Sequence, residues 1–180
     1  PRISRASETR SEAGEIGLAQ RTLETPLGRL LAIADASGVQ LINFVDSPGH
    51  STFYSSFQDS ARATEGDIWL RRLEIELERY FASPLTATYA IPHSVSGTPF
   101  QRAVWQTLLT IPAGQTTSYG CIARRLGKPN SARAVGAAVG RNPPLLVFPC
   151  HRVIASDGGI AGYRGGVERK KALLQLEGGR

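Results

Sequence analysis

The sequence predicts an α/β chain of the α+β kind, with a small layered N-terminal part and a mostly helical C-terminal part. Three observations carry this. Before Pro48, apolar and β-branched stretches alternate with turns that contain Gly or Pro. Between Asp67 and Phe81, apolar residues recur at helical spacing. After Thr98, three short helical stretches follow one another, parted by Gly and Pro.

Residues 1–18 are polar, rich in Ser, Glu and Arg, and read as a flexible tail or linker. Arg21 to Thr25, Leu27 to Asp35 and Val39 to Val45 read as strands, with turn signals at Pro26-Leu27-Gly28 and Ala36-Ser37-Gly38. Pro48-Gly49 closes this set, and Ser51 to Thr64 fits either kind of element. The helix over Asp67 to Phe81 aligns Ile68, Leu70, Leu73, Leu77 and Phe81, with Asp67 near its N-terminus. Thr86 to Ile91 is a candidate further strand. No chemistry is legible in this first domain, residues 19–95, and its expected job is support. Pro92 to Gly97 marks the boundary with a second domain, residues 96–180.

Thr98-Pro99-Phe100 opens a helix, with Thr98 as N-cap and proline in the first turn. Phe100, Val104, Leu108 and Ile111 line one face, with Trp105 close by, and Pro112-Ala113-Gly114 ends it. Thr117 or Ser118 caps a second helix, Tyr119 to Leu126. The break Gly127-Lys128-Pro129-Asn130 follows, then a third helix from Ser131 to about Val139. Two short helices split by a Gly-containing turn are the outline of a helix-turn-helix, a weak signal taken alone. The third helix is unusual: Ala132, Ala134, Gly136, Ala137, Ala138 and Gly140 are small, and Arg133 is its one long side chain. Small residues permit close approach to another surface, either a nucleic-acid groove or a packed helix.

Leu145-Leu146-Val147-Phe148 reads as a strand that runs up to Pro149-Cys150-His151-Arg152-Val153. Proline fixes its own φ and keeps the residue before it extended. Only a thiolate is a strong sulfur nucleophile, and nearby cations lower a thiol's pKa. His151 can take the proton, while Arg152 adds positive field or holds a neighbouring loop. Singly, each residue has an ordinary explanation: a small buried hydrophobe, a hydrogen-bonded imidazole, an ion-pair partner. Beyond the cysteine, Ala155-Ser156-Asp157-Gly158-Gly159 is a tight turn and Gly162-Tyr163-Arg164-Gly165-Gly166 a Gly-rich loop. Tyr163 offers a ring to stack on, and no phosphate-loop spacing is present. A last helix runs from Val167 to about Leu176, with Leu173, Leu174 and Leu176 available for a core, and Glu177 follows.

The charge is lopsided. Residues 1–95 carry nine arginines against twelve carboxylates, whereas residues 96–180 carry twelve Lys or Arg against Asp157, Glu168 and Glu177. A basic half points to a polyanion docking there. Cys121 and Cys150 are too few for a disulfide framework, and His50, His93 and His151 form no metal-ligand pattern with them. The expected setting is reducing and intracellular. No apolar run approaches the length of a membrane span. A first residue of proline rather than methionine points to a processed chain or a piece of a longer one.

The strings TPFQRAVWQTLLTIPAGQTTSYG, ARAVGAAVGRNP, PCHRVI, GGIAGYRGG and LLQLEG, in this order, resemble the methylated-DNA–protein-cysteine methyltransferases, also called O6-alkylguanine-DNA alkyltransferases. The resemblance covers about residues 97–178. TPLGRLLAIADASGVQLINF is more loosely similar to the RNase H-like N-terminal domain of that family. Both the bacterial stand-alone form and the C-terminal half of the adaptive-response protein Ada look like this chain.

The resemblance implies a one-shot, monomeric DNA-repair protein of the bacterial cytoplasm, working at the nucleoid with no cofactor and no metal. It implies transfer of an alkyl group from O6-alkylguanine or O4-alkylthymine in duplex DNA to Cys150. His151 matches the base, acting through a water, and Glu177 the carboxylate that orients it. Tyr119 matches the hydrogen-bond donor to the leaving base, and Asn142 the brace of the turn between the active-site motifs. Arg133 matches the arginine that fills the space left by the flipped nucleotide. The helix bearing Ser131, Ala132, Ala134, Gly136 and Ala137, with Arg141 at its end, matches the element that enters the minor groove. Tyr163, Arg164 and Gly165, with Pro149 and Val153, match the substrate pocket, and Arg152 a structural position. Arg164 stands where some members have a small residue, and Cys121 is not required by the motif. Two other classes stay open: an alkyltransferase-like protein that binds lesions without repairing them, and a helix-turn-helix regulator. The presence of Cys150 argues against the first, and the lack of base-reading side chains on the third helix against the second.

Overall fold

A computed structural model describes residues 17–47, 65–86, 89–160 and 162–178. Most of the predicted tail, Pro48-Gly49, all of the Ser51–Thr64 stretch, and two residues of the Thr86–Ile91 strand lie outside the described residues. Helices and strands are mixed, as expected.

Three antiparallel strands, β1 (Ala19–Leu23), β2 (Leu30–Asp35) and β3 (Gly38–Phe44), form a sheet in the order β1-β2-β3. Strand β1 ends before Thr25 because that residue folds into a turn. Its hydroxyl donates to Gly28 O and accepts from Leu27 N, and Gly28 turns through a φ of 112°. Thus Leu27, Gly28 and Arg29 leave the predicted second strand. Asp35 closes the next hairpin by accepting from Ser37 N and Gly38 N. A side chain at Gly38 would strike the backbone of Pro92, which crosses there. Pairing with the outer edge of β3 comes from Pro92–Ser94 rather than from the expected Thr86–Ile91 strand: Val39 N donates to Pro92 O, and Ser94 N to Val39 O. Both faces of β2 are covered. Leu30, Ala32 and Ala34 join the main core, while Leu31 and Ile33 join Leu41 in a smaller cluster.

Helix α1 (Glu65–Ala82) packs on this sheet through Gly66, Leu70, Leu73, Leu77 and Tyr80. Ile68, expected on its apolar face, is 62% exposed, and Tyr80 takes a core place instead. Helix α2 (Pro99–Leu108) starts at a reciprocal capping box between Thr98 and Gln101, and buries Val104, Trp105 and Leu108. Strand β4 (Thr117–Ser118) pairs in parallel with β5 (Val153–Ile154), which sets the start of helix α3 (Tyr119–Arg125) beside the cysteine motif. Helix α4 (Ala132–Gly140) packs against α2 and α3. The indole of Trp105 donates to Ala138 O at 2.8 Å and ties α2 to it. Helix α5 (Val167–Leu176) closes the fold, burying Lys170, Leu173 and Leu174, whereas Leu176 is turned outward at 39% exposure.

The predicted strand over Leu145–Phe148 is instead a buried turn. Leu146 has a φ of 72°, and Leu145 pairs with Phe148 within the same segment. Leu145 N and Ile42 O bond across to β3, so the turn is held by the sheet and its apolar side chains fill the core. The apolar run reports burial here, not extension, because period alone cannot separate the two. One buried cluster runs from β1–β3 through α1, α2 and α4 to Cys150.

Candidate active site

Cys150 opens a single turn of 3-10 helix, Cys150–Arg152, directly after the buried turn. Cys150 N donates to Phe148 O at 2.7 Å, and Asn142 Nδ2 donates to the same oxygen at 2.8 Å. Asn142 Nδ2 also lies 3.1 Å from Cys150 Sγ. A buried asparagine therefore braces the turn and touches the sulfur with one amide group. Burial pushes the Cys150 thiol up to about 11, and Asn142, Lys170 and Arg164 act in the opposite sense. From the sequence, Arg152 either adds positive field or holds a neighbouring loop. The structure gives the field to Lys170 and Arg164, while Arg152 holds the Ile111 carbonyl after α2 and Glu177.

Arg152 holds Glu177. Its Nε donates to Oε2 at 2.9 Å, its Nη2 to Oε1 at 2.8 Å, and its Nη1 to Ile111 O at 2.6 Å. Glu177 also accepts from Tyr80 Oη at 2.7 Å and Gly114 N at 3.3 Å. His151 Nε2 sits 3.0 Å from Glu177 Oε1. Despite burial, bonds from His151, Arg152 and Tyr80 keep the Glu177 carboxyl far below the usual carboxylate range. An ionised carboxylate can only accept, so His151 Nε2 carries the hydrogen and Nδ1 keeps a lone pair. Burial pulls the His151 pKa down, which favours this neutral ring. Nδ1 is buried with no hydrogen-bond partner among the described residues, and no direct bond joins the ring to Cys150 there. The imidazole is thus a neutral acceptor held on one side by a fixed anion.

The sulfur faces a cavity of about 170 Å³, whose lining includes Tyr119, Gly136, Gly140, Cys150, Tyr163 and Arg164. Tyr119 comes from the first turn of α3, Gly136 and Gly140 from α4, Cys150 from its 3-10 turn, and Tyr163 and Arg164 from the loop before α5. The Tyr119 phenol is shifted up, first by burial and then by Cys150, so it stays protonated. Tyr163 meets the His151 ring edge-on, with centroids 6.4 Å apart. Gly165 stands behind it: a Cβ there would lie 2.5 Å from Tyr163 Cε1 and 2.9 Å from Phe44. Pro149 and Val153 do not line this cavity. Pro149 borders a separate one beside Arg152, and Val153 is fully buried in β5.

Along α4, Val135, Ala138 and Val139 face the core, so packing explains part of the small-residue pattern. Arg133, Ala134, Ala137 and Gly140 are exposed, Arg141 follows exposed at the C-cap, and Ser131 and Ala132 are half-buried. Gly136 lies over the Tyr119 ring. The cavity opening and the smooth face of α4 are therefore adjacent.

Sequence reasoning missed Tyr80 and Lys170. Lys170 is fully buried, and its Nζ lies 3.4 Å from Gly162 O. A signal for it exists: Lys170, Leu173, Leu174 and Glu177 fall at i, i+3, i+4 and i+7, a helical core stripe with two charges in it. Tyr80 carries no such signal, since it reads as one more apolar residue between Leu77 and Phe81.

Residues 99–179 match the family model described as 6-O-methylguanine DNA methyltransferase, DNA binding domain. The chain is 40% identical over 157 residues to a methylated-DNA–protein-cysteine methyltransferase of Mycobacterium leprae, spanning 87% of this chain and 90% of that protein. It is 54% identical over 106 residues to one of Shigella flexneri, a match that spans 59% of this chain and 62% of the relative. Among solved structures it is similar to Mycobacterium tuberculosis O6-methylguanine methyltransferase, with a TM-score of 0.75, 38% identity, and coverage of 89% and 93%. The same holds for Mycobacterium tuberculosis OGT in complex with DNA, with a TM-score of 0.75, 37% identity, and coverage of 88% and 91%. By these matches, at this identity and coverage, the chain belongs to the methylated-DNA–protein-cysteine methyltransferase family.

Proposed function

We propose that the protein repairs alkylated duplex DNA by moving the alkyl group from guanine O6, or thymine O4, onto its own Cys150. The observation that carries this is the position of Cys150 Sγ in a cavity shared with a protonated Tyr119 and opening beside α4. The thiol proton passes through a water to His151 Nδ1. The Sγ–carbon bond then forms as the carbon–O6 bond breaks, and the electron pair leaves on the guanine. Tyr119 donates a hydrogen bond to the ring, which eases departure. Glu177 fixes the imidazole and stabilises its positive charge once the proton arrives. Attack on a saturated carbon needs no oxyanion hole, and the thioether product resists hydrolysis. Each molecule therefore acts once, and the step calls for no cofactor.

The target must leave the base stack, at a cost of a few kcal/mol. Arg133, exposed on the first turn of α4, fills the space, and the Ala134–Ala137 face lies in the minor groove. Ser131 and Arg141 at the helix ends contact phosphates. We read α3 and α4 as the helix-turn-helix, residues 19–95 as the RNase H-like domain, and residues 96–180 as the alkyltransferase domain. The working form is a monomer in the cytoplasm. No described helix is long and apolar enough to cross a membrane. The test is mass spectrometry after mixing with a duplex that carries one O6-methylguanine. One added methyl on Cys150 is expected, and an unmodified Cys150 would refute the reading.

A further inference from the structure

We propose that Tyr80 is a positioning residue for the transfer step: its hydroxyl takes a share of Glu177 Oε1 and so keeps His151 neutral and ready to accept the thiol proton. This rests on the transfer reading above and deepens it. Tyr80 does not line the sulfur's cavity, and it acts only through the carboxylate.

Three donors meet at Glu177 Oε1: Tyr80 Oη at 2.7 Å, Arg152 Nη2 at 2.8 Å and His151 Nε2 at 3.0 Å. The imidazole makes the longest of these bonds. Oε2 takes Arg152 Nε at 2.9 Å and Gly114 N at 3.3 Å. Tyr80 and Glu177 are each only 1% exposed, so their bond is shielded from solvent. Burial first, and the Glu177 charge second, push the Tyr80 pKa far up, so the phenol keeps its proton and donates.

A carboxylate beside an imidazole favours the charged ring. A charged ring cannot take the thiol proton. Charge drawn towards a phenol and a guanidinium is less available to the ring, and the balance tips to the neutral form. When the proton leaves Sγ and reaches Nδ1, the Nε2 hydrogen stays on the ring and Glu177 stays ionised.

The other groups around this pair are on the page. Burial is the largest influence on His151 and lowers its pKa, Glu177 raises it, and Arg152 and Lys170 lower it. Tyr163 meets the ring edge-on, and the neighbouring Cys150 thiol is pushed up by burial. Tyr89, with its ring 5.9 Å from that of Tyr80, is held protonated by burial. Glu76, one turn earlier in the same helix, pairs with Arg72 at 3.6 Å. Of the two side chains that share Glu177 with the ring, Tyr80 is the one whose bond can be deleted without deleting a charge.

The experiment follows transfer from a duplex with one O6-methylguanine against pH, as the first-order rate at saturating protein, so that DNA affinity drops out. The rate falls as pH falls through the His151 pKa. Tyr80→Phe leaves Oε1 more negative, raises that pKa, and should move the acid limb up by about half a unit to one unit. Leu77→Ala loosens the same helix and removes no hydrogen bond, so it should leave the limb in place. The His151 titration followed by NMR, with no DNA present, should shift with the limb in Tyr80→Phe. A limb that stays put or moves down in folded Tyr80→Phe, or that moves equally in Leu77→Ala, would overturn the proposal. So would a wild-type His151 that titrates at or above the ordinary value of about 6.5, even if Tyr80→Phe failed to fold. Wild-type protein that takes no methyl at any pH would instead sink the transfer reading, and the NMR titration would still decide the role of Tyr80.

Discussion

Tyr80 Oη and Glu177 Oε1, 97 residues apart in sequence, are joined by a buried 2.7 Å hydrogen bond. Tyr80 belongs to the helix that covers the N-terminal sheet, and Glu177 to the end of the last helix. The layer that shows no chemistry in its sequence thus supplies a donor to the carboxylate that fixes His151.

Removing that donor tests its weight. Tyr80→Phe keeps the ring in the core and deletes one bond to a charged acceptor, which costs about 1.5–3 kcal/mol. For a chain of this size the melting temperature should fall by roughly 3–10 °C. Glu177→Gln should cost more, about 3–5 kcal/mol, since it leaves the buried Arg152 guanidinium without its counter-charge. Thermal unfolding of both variants measures this, and a Tyr80→Phe protein as stable as wild type would deny the bond any weight.

Stability should depend on pH on both sides. The folded Glu177 pKa is depressed, so its contribution is present above the ordinary carboxylate range and lost as pH falls through and below it. The folded His151 pKa is also lowered, so the unfolded chain takes up that proton first as pH drops below about 6.5. Both act in the same direction and give an acid limb. Cys150 is raised from 9.0 to about 11, so its share is present below 9 and lost as pH climbs through 11. Denaturant titrations from pH 3 to 11 should show a plateau between about 7 and 9. Replacing Cys150 with Ala should remove part of the alkaline limb and leave the acid one.

The sequence makes the chemistry more legible than its support. Cys150 and His151 stand out as a pair, whereas Tyr119, Asn142 and Glu177 are marked only by the family resemblance of their strings. In the structure Asn142 touches the sulfur, Tyr119 shares its cavity, and Glu177 holds His151. Helix ends at Thr98 and Ser118 are readable because capping is local chemistry. What escapes is decided by tertiary contact. Ile68 follows the helical period yet faces solvent, while Glu76 does not look like core and is buried. The run Leu145–Phe148 looks extended, but Leu146 adopts a left-handed conformation in a buried turn that Leu145 ties to Ile42 of β3. The stripe of small residues on α4 mixes two causes, core packing at Ala138 and an open face at Ala134 and Ala137.

Gly165 should be intolerant for a reason outside the chemistry. An alanine Cβ there would meet Tyr163 Cε1 at 2.5 Å and Phe44 at 2.9 Å, so the Tyr163 ring must shift. Overpacking of this kind costs about 1–3 kcal/mol. The displaced ring also borders the sulfur's cavity, so Gly165→Ala should lose stability and slow transfer together. Gly136→Ala is the control, because its Cβ would meet Tyr119 at an ordinary 3.7 Å and the fold should tolerate it. Equal melting temperatures for the two variants would contradict this account.

Arg133 separates extrusion from transfer. It is exposed at the start of α4, away from the sulfur's cavity, and no internal hydrogen bond or ion pair involving it is seen among the described residues. Arg133→Ala should leave the melting temperature within about 1 °C of wild type, as is usual for surface changes away from structural features. A duplex lesion must be flipped out at a cost of a few kcal/mol, whereas free O6-benzylguanine needs no extrusion. Transfer from the duplex should therefore slow by roughly ten- to a hundredfold in this variant, and reaction with the free base by less than about twofold. Part of the duplex loss could come from weaker phosphate attraction, which fades as salt rises. Repeating the comparison at saturating DNA in low and high salt removes that share. If both substrates slow equally, Arg133 acts on the chemistry or the fold, and the vacated stack is filled by another residue.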